Sequence, residues 1–182
     1  MSTTEFTPYI DALTDSMSML MDDPDTIFVG QQIVYYGNPM SKTIDGLPKD
    51  RMIETPVMEE TQMGMSLGLA MAGYRVVSFY PRWDFLICAM NQLVNHVDKI
   101  RLMSGDEWKP RLIIRVGKGS DVPLDPGHQH KGNYIEHVKR MLVDTSVIHL
   151  NSYNKIREGY EMAMNHDGPI IMAEYPELYY KS

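Results

Sequence analysis

Four short stretches of the chain hold side chains whose types and spacing could do chemistry. In Glu54-Thr55-Pro56-Val57-Met58-Glu59-Glu60, two adjacent carboxylates follow a proline suited to the first turn of a helix. First-turn carboxylates complement the helix dipole, whereas one turned inward could share a proton with a bound group. In Tyr80-Pro81-Arg82-Trp83-Asp84-Phe85, aromatic faces stand beside a guanidinium, a pattern that serves core packing or a platform for a flat ligand. Gly117-Lys118-Gly119-Ser120 could bring backbone amides close to an anion, but no Lys-Ser/Thr ending of a P-loop follows, and a plain turn uses the same residues. Asp125-Pro126-Gly127-His128-Gln129-His130 contains two of the six histidines. These could exchange protons near neutral pH, bind zinc together with Asp125, or sit in a solvated loop.

Apolar period predicts the elements that must position these stretches. Short β-rich runs at 26–30, 51–54, 75–79, 111–116, 147–150 and 169–174, bounded by Gly, Pro, Asp or Asn, predict six strands. Helical spacing predicts helices over 8–21, 57–72, 84–104, 130–143 and 153–165. Thr7-Pro8 and Thr55-Pro56 supply capping hydroxyls at two starts, and Gly73 supplies a stop. Small residues from Gly64 to Gly73 predict a helix lying close to its neighbours. Alternating strands and helices require right-handed crossovers, so the expected fold class is α/β: a doubly wound, mostly parallel sheet with helices on both faces. Ligands of such sheets gather beyond the carboxyl ends of the strands. That rim receives the segments after Gly30, Glu54, Phe79 and Val116, and two loops, 33–49 and 121–127, rise from it.

Composition excludes several classes. Hydrophobic residues make up 43% and charged residues 23% of the 182, enough for a packed core without staples. Seventeen Lys and Arg against 24 Asp and Glu leave a net charge of −7, which repels a phosphate backbone, so no nucleic-acid partner is expected. The single cysteine, Cys88, cannot form an intrachain disulfide or a cysteine-based metal site, and a cytoplasmic location is expected from it. No apolar run of about 18 residues and no basic-then-apolar start is present, so neither a membrane span nor a signal peptide is expected. Sixteen methionines are read as fillers of irregular core gaps.

Taken in order, five stretches carry a resemblance: Glu54-Thr55-Pro56-Val57-Met58-Glu59, Gly68 through Gly73, Phe85 with Ala89-Met90-Asn91-Gln92-Leu93-Val94-Asn95, Met103-Ser104-Gly105 with Arg115, and Gly127-His128-Gln129. Together they resemble the pyrimidine-binding domain of thiamin-diphosphate enzymes, most closely the amino-terminal domain of the 2-oxoacid dehydrogenase E1 β subunit, with transketolases sharing the domain. The resemblance implies that Glu59 meets N1′ of the cofactor's aminopyrimidine. There a carboxyl favours the tautomer whose N4′ takes the proton from thiazolium C2. It further implies Phe85 and Met58 as cofactor contacts and His128 as a catalytic group facing the substrate. Arg82, Lys118, Gln129 and His130 then fall on the substrate side, and no residue of this chain ligates the metal.

The family holds the diphosphate and its Mg2+ with a Gly-Asp-Gly motif followed at a distance by Asn, and no Gly-Asp-Gly occurs here. The expectation is therefore a single pyrimidine-binding domain over 1–182, without a diphosphate-binding domain or a carboxyl-terminal transketolase-type domain. A partner subunit would carry Gly-Asp-Gly…Asn and the Mg2+, in a heterotetramer or larger assembly, with a 2-oxoacid or sugar phosphate as substrate. A noncatalytic regulatory or binding module that keeps the fold is the alternative, and a zinc hydrolase built on Asp125, His128 and His130 is a third.

Overall fold

The computed structural model describes residues 7–35 and 37–180. Six strands form one sheet: β1 Thr26–Gly30, β2 Met52–Glu54, β3 Arg75–Tyr80, β4 Leu112–Gly117, β5 Ser146–Leu150 and β6 Ile170–Glu174. Their order is β2-β1-β3-β4-β6-β5, and all five pairings are parallel. The central β3 and β4 are buried along their whole length, as strands covered on both faces must be. Successive residues feed opposite layers. Phe28, Phe79, Ile113 and Met172 pack with α1 (Pro8–Met21) and α6, which spans Tyr153–Met164. Val29, Val76, Ile114 and Ile171 pack instead with α2 (Glu59–Met71), with the segment from α3 (Trp83–Leu86) to α4 (Ile100–Met103), and with α5, Ile135–Met141. The doubly wound sheet predicted from the alternation is the fold observed. The chain leaves β1 for β2 on one side and returns to place β3 on the other, so the topological switch point lies between β1 and β3, where such sheets bind ligands.

Local departures have identifiable causes. The continuous helix predicted over 84–104 is broken into α3, a 3-10 turn at Ile87–Ala89, a π turn at Gln92–His96, a 3-10 turn at Val97–Lys99 and α4. Leu86, Ala89, Leu93, Val97 and Ile100 still face the core, which is why the apolar spacing looked helical throughout. One carboxylate competes with the helical ladder. Glu60 accepts from the Gln92 backbone N–H at 3.4 Å and from Asn91 at 2.7 Å, and such insertion is a known cause of irregular winding. Asp98, fully buried, accepts from the backbone N–H groups of Val143, Asp144 and Thr145 and so fixes the start of β5.

The helix predicted over 130–143 is reduced to α5, because the backbone before it is tied to other loops. Gly132 O accepts from Gly119 N at 3.0 Å, and Gly132 N donates to Asp84 Oδ2 at 3.2 Å. Neither predicted capping hydroxyl caps its helix. Thr7 Oγ1 donates to the Leu178 carbonyl, and Thr55 Oγ1 donates to Gln62 Oε1 at 3.2 Å, while α2 begins after Met58.

Candidate functional site

Glu59 is the first residue of α2, and it is only 9% exposed. Its Oε1 accepts from Gln31 Nε2 at 3.2 Å, and no cation pairs with it among the described residues. A buried polar network holds α2 in place beneath it. Gln62 donates through Nε2 to Ser78 Oγ at 3.2 Å and to the Phe79 carbonyl at 2.9 Å, and Ser66 Oγ reaches Ser78 Oγ at 3.0 Å. The Tyr80 hydroxyl donates to the Glu59 carbonyl at 3.2 Å. Burial pushes the Tyr80 phenol above its ordinary range, with the Glu59 charge adding to the rise. Next to this enclosed carboxyl the surface is open and apolar, with Val57 81% and Met58 38% exposed. Of the two adjacent carboxylates, Glu59 therefore turns inward while Glu60 staples α2 to Asn91 and Gln92.

Gln31 follows β1, at the switch point, and the loop after it is shaped by Glu54 at the end of β2. The Glu54 carboxylate accepts from the backbone N–H groups of Gln32, Ile33 and Val34, a small cradle in which Gln32 takes a φ of 57°. The rim position of both residues was legible from the strand order, but their roles were not. A glutamine after a strand has no spacing signal, and Glu54 reads as a motif letter until its three amide donors are seen.

At the end of β3, Trp83 is fully buried in the core, whereas Phe85 is half-buried and packs against the His130 ring, with centroids 5.4 Å apart. Arg82 Nη1 donates to the His130 carbonyl at 2.8 Å and fixes the turn His128–His130 beneath it. The two histidines thus differ in kind. His128 and Gln129 stand exposed on the turn, while His130 lies against Phe85 and its Nδ1 is buried without a partner among the described residues.

The glycines of Gly117-Lys118-Gly119-Ser120 have a packing explanation. A Cβ on Gly119 would lie 2.1 Å from the Lys131 backbone, and one on Gly117 would lie 2.5 Å from the Pro81 carbonyl. Gly119 N donates to Gly132 O and Lys118 N to Glu174 O, so these two amides are committed within the fold and not turned to an anion. The Lys118 ammonium pairs with Glu177 and lies 4.9 Å from the Tyr175 ring centre. Asp125 is bound by Lys131 at 2.8 Å, whose hydrogen bond holds its carboxyl below the usual range. Among the described residues no three His, Cys, Asp or Glu side chains converge to hold a metal ion, which removes the geometry that a zinc site on Asp125, His128 and His130 requires.

The family model described as "Transketolase, pyrimidine binding domain" matches residues 7–181. The chain belongs to this family. Pyruvate dehydrogenase E1 component subunit beta of Chaetosphaeridium globosum is 27% identical over 174 residues, which cover 93% of this chain and 52% of that protein. The 2-oxoisovalerate dehydrogenase subunit beta of Bacillus subtilis is 29% identical over 118 residues, covering 63% of this chain and 36% of that protein. A split-gene transketolase solved as an inactive beta4 tetramer superposes with a TM-score of 0.68 at 15% identity, over 92% of this chain and 50% of that one, and this likeness concerns the fold. The chain spans about half the length of the curated pyruvate dehydrogenase relatives.

The family is one of thiamin-diphosphate enzymes, and the side chains at the rim fit an aminopyrimidine. A buried carboxyl with an amide partner and no cation can share a proton with a ring nitrogen, and a half-exposed phenyl ring offers a face for stacking. No helix of the described residues is long and apolar enough to cross a membrane.

Proposed function

We propose that this chain is the pyrimidine-binding subunit of a split thiamin-diphosphate-dependent enzyme acting on a 2-oxoacid or a ketose. The observation that supports it best is the Glu59 carboxyl, nearly enclosed at the head of α2 and hydrogen-bonded by a neutral amide. Glu59 binds the aminopyrimidine and exchanges a proton at its ring nitrogen, Phe85 packs on the ring face, and Met58 covers its edge. His130, pressed on Phe85 with a buried unpartnered nitrogen, is the proton donor or acceptor toward the substrate, while His128 stands at the open lip with Gln129. When bound, the cofactor supplies a thiazolium carbon that stabilises the negative charge left by cleavage next to a carbonyl. A partner subunit carrying Gly-Asp-Gly…Asn holds the diphosphate and Mg2+, in a heterotetramer or larger assembly. It closes over the exposed Val57 and Met58. The described residues constitute one pyrimidine-binding domain within that assembly.

Titrating thiamin diphosphate and Mg2+ into a mixture of this chain with such a subunit tests the reading by calorimetry and turnover. Glu59→Gln is expected to lower turnover by at least 100-fold, the scale of general acid-base contributions, with the fold intact by circular dichroism. Turnover unchanged in Glu59→Gln overturns the role of that carboxyl. A mixture that binds the partner but never turns over a 2-oxoacid or ketose makes this a noncatalytic module.

A further inference from the structure

Beside the turn that carries His130 lies a cavity of about 250 Å3, at the carboxyl ends of β3, β4 and β6 and under the loop that follows β1. Arg82 and Lys118 both contribute to its wall, but their charges are not equivalent. Lys118 is neutralised by Glu177 and seated over Tyr175. Arg82 has no carboxylate partner among the described residues, and its recorded hydrogen bond, from Nη1 to the His130 carbonyl, leaves the rest of the guanidinium fork for a ligand. The cavity therefore offers one uncompensated positive charge, which matches a monoanionic carboxylate held in the planar, bidentate manner that guanidinium favours. A phosphate dianion would need a second cation, and Lys118 would have to abandon Glu177 to provide it.

The remaining walls are mostly apolar. Met40, Val122, Leu124 and Tyr179 contribute to them, and the Tyr179 hydroxyl is committed to Glu174. Asn38 and Ser120 are the other polar residues of the lining. Ser120 Oγ already exchanges hydrogen bonds with the Val122 backbone, and the Asn38 side-chain oxygen accepts from Ser41 N. A polyhydroxylated chain would lose its hydration here and gain few partners in return, whereas an aliphatic chain would gain by leaving water.

We infer that this cavity selects a 2-oxoacid with an aliphatic side chain over a phosphorylated ketose, Arg82 clamping the carboxylate and Met40 and Leu124 receiving the side chain. The inference rests on the function proposed above, since it is Arg82's bond to the His130 carbonyl that joins the cavity to the reacting groups.

Binding without cofactor tests it separately from the Glu59 chemistry. In methyl-labelled protein, 4-methyl-2-oxopentanoate is expected to shift the Met40 and Leu124 methyl resonances and ribose 5-phosphate to leave them in place. Leu124 is 76% exposed, so Leu124→Asp keeps the fold. It should weaken 4-methyl-2-oxopentanoate at least tenfold, and Arg82→Met should weaken 4-methyl-2-oxopentanoate and pyruvate alike at least tenfold. Arg157→Ala, at an exposed position outside the cavity, should leave both affinities unchanged, and because no cofactor is present this test stands or falls apart from the one above. Ribose 5-phosphate binding as tightly as the oxoacid, absence of methyl shifts up to the solubility limit, or indifference of the long acid to Leu124→Asp overturns the inference.

Discussion

At the scale of single residues, the strongest commitment in the core is electrostatic. Arg115 and Glu174 are both fully buried, with Arg115 Nη2 donating to Glu174 Oε2 at 3.0 Å and Nη1 to Thr43 Oγ1 at 2.9 Å. The hydroxyls of Tyr160 and Tyr179 complete the shell of Glu174. Burial alone would lower the guanidinium's proton affinity, but the Glu174 carboxylate outweighs it and raises Arg115 above its ordinary value. Removing one partner leaves the other as an uncompensated buried charge, a loss of about 3–5 kcal/mol for such pairs. Glu174→Gln is thus expected to cost about that much in urea denaturation, whereas Arg157→Ala, which breaks the exposed pair with Glu161, should leave the midpoint nearly unchanged. Arg115 was legible as a charged letter inside an apolar strand and as part of the family resemblance, but not as half of an ion pair. Nothing in its spacing names Glu174, 59 residues away, because a pairing across neighbouring strands is a product of the sheet order.

At the scale of elements, two loops are held by carboxylates from elsewhere in the fold: 32–34 by Glu54 and 143–145 by Asp98. Hydrogen bonds to charged groups contribute about 1.5–3 kcal/mol each. Glu54→Ala is therefore expected to accelerate amide exchange at Gln32, Ile33 and Val34 at least tenfold, and to weaken cofactor binding through the displaced Gln31. Unchanged exchange there would mean that the loop holds its own shape. The strands were legible as short β-rich runs bounded by turn residues, and α1, α2 and α6 because burial of one face imposes a helical period on the chain. The π and 3-10 turns between α3 and α4 were not, because Glu60, whose carboxylate reaches into that ladder at Gln92, looks like an ordinary surface residue in a helical pattern. At the candidate site, the head of α2 and the Phe85 stretch were legible as places on the rim. The difference between His128 and His130 was not, since two residues along a turn can face opposite environments.

At the scale of the whole molecule, four buried phenols set the response to alkali. Burial pushes Tyr9, Tyr80, Tyr160 and Tyr179 above the usual tyrosine range. Their folded-state values exceed the unfolded value of about 10, so the stability they contribute is fully present below about pH 10 and is lost as pH rises through the folded values. Denaturation midpoints should therefore hold steady up to about pH 9 and fall beyond about pH 10, with phenolate absorbance from these four appearing together with unfolding. Gradual titration of all tyrosines in a folded protein would contradict this. The same architecture makes the site depend on one edge of the sheet. The carboxylate that winds residues 32–34 belongs to β2, a short edge strand, so the loop bearing Gln31 keeps its shape only while that strand is docked. A chain whose β2 edge has come away would keep nearly all of its interior and still lose the brace behind the amide that escorts Glu59.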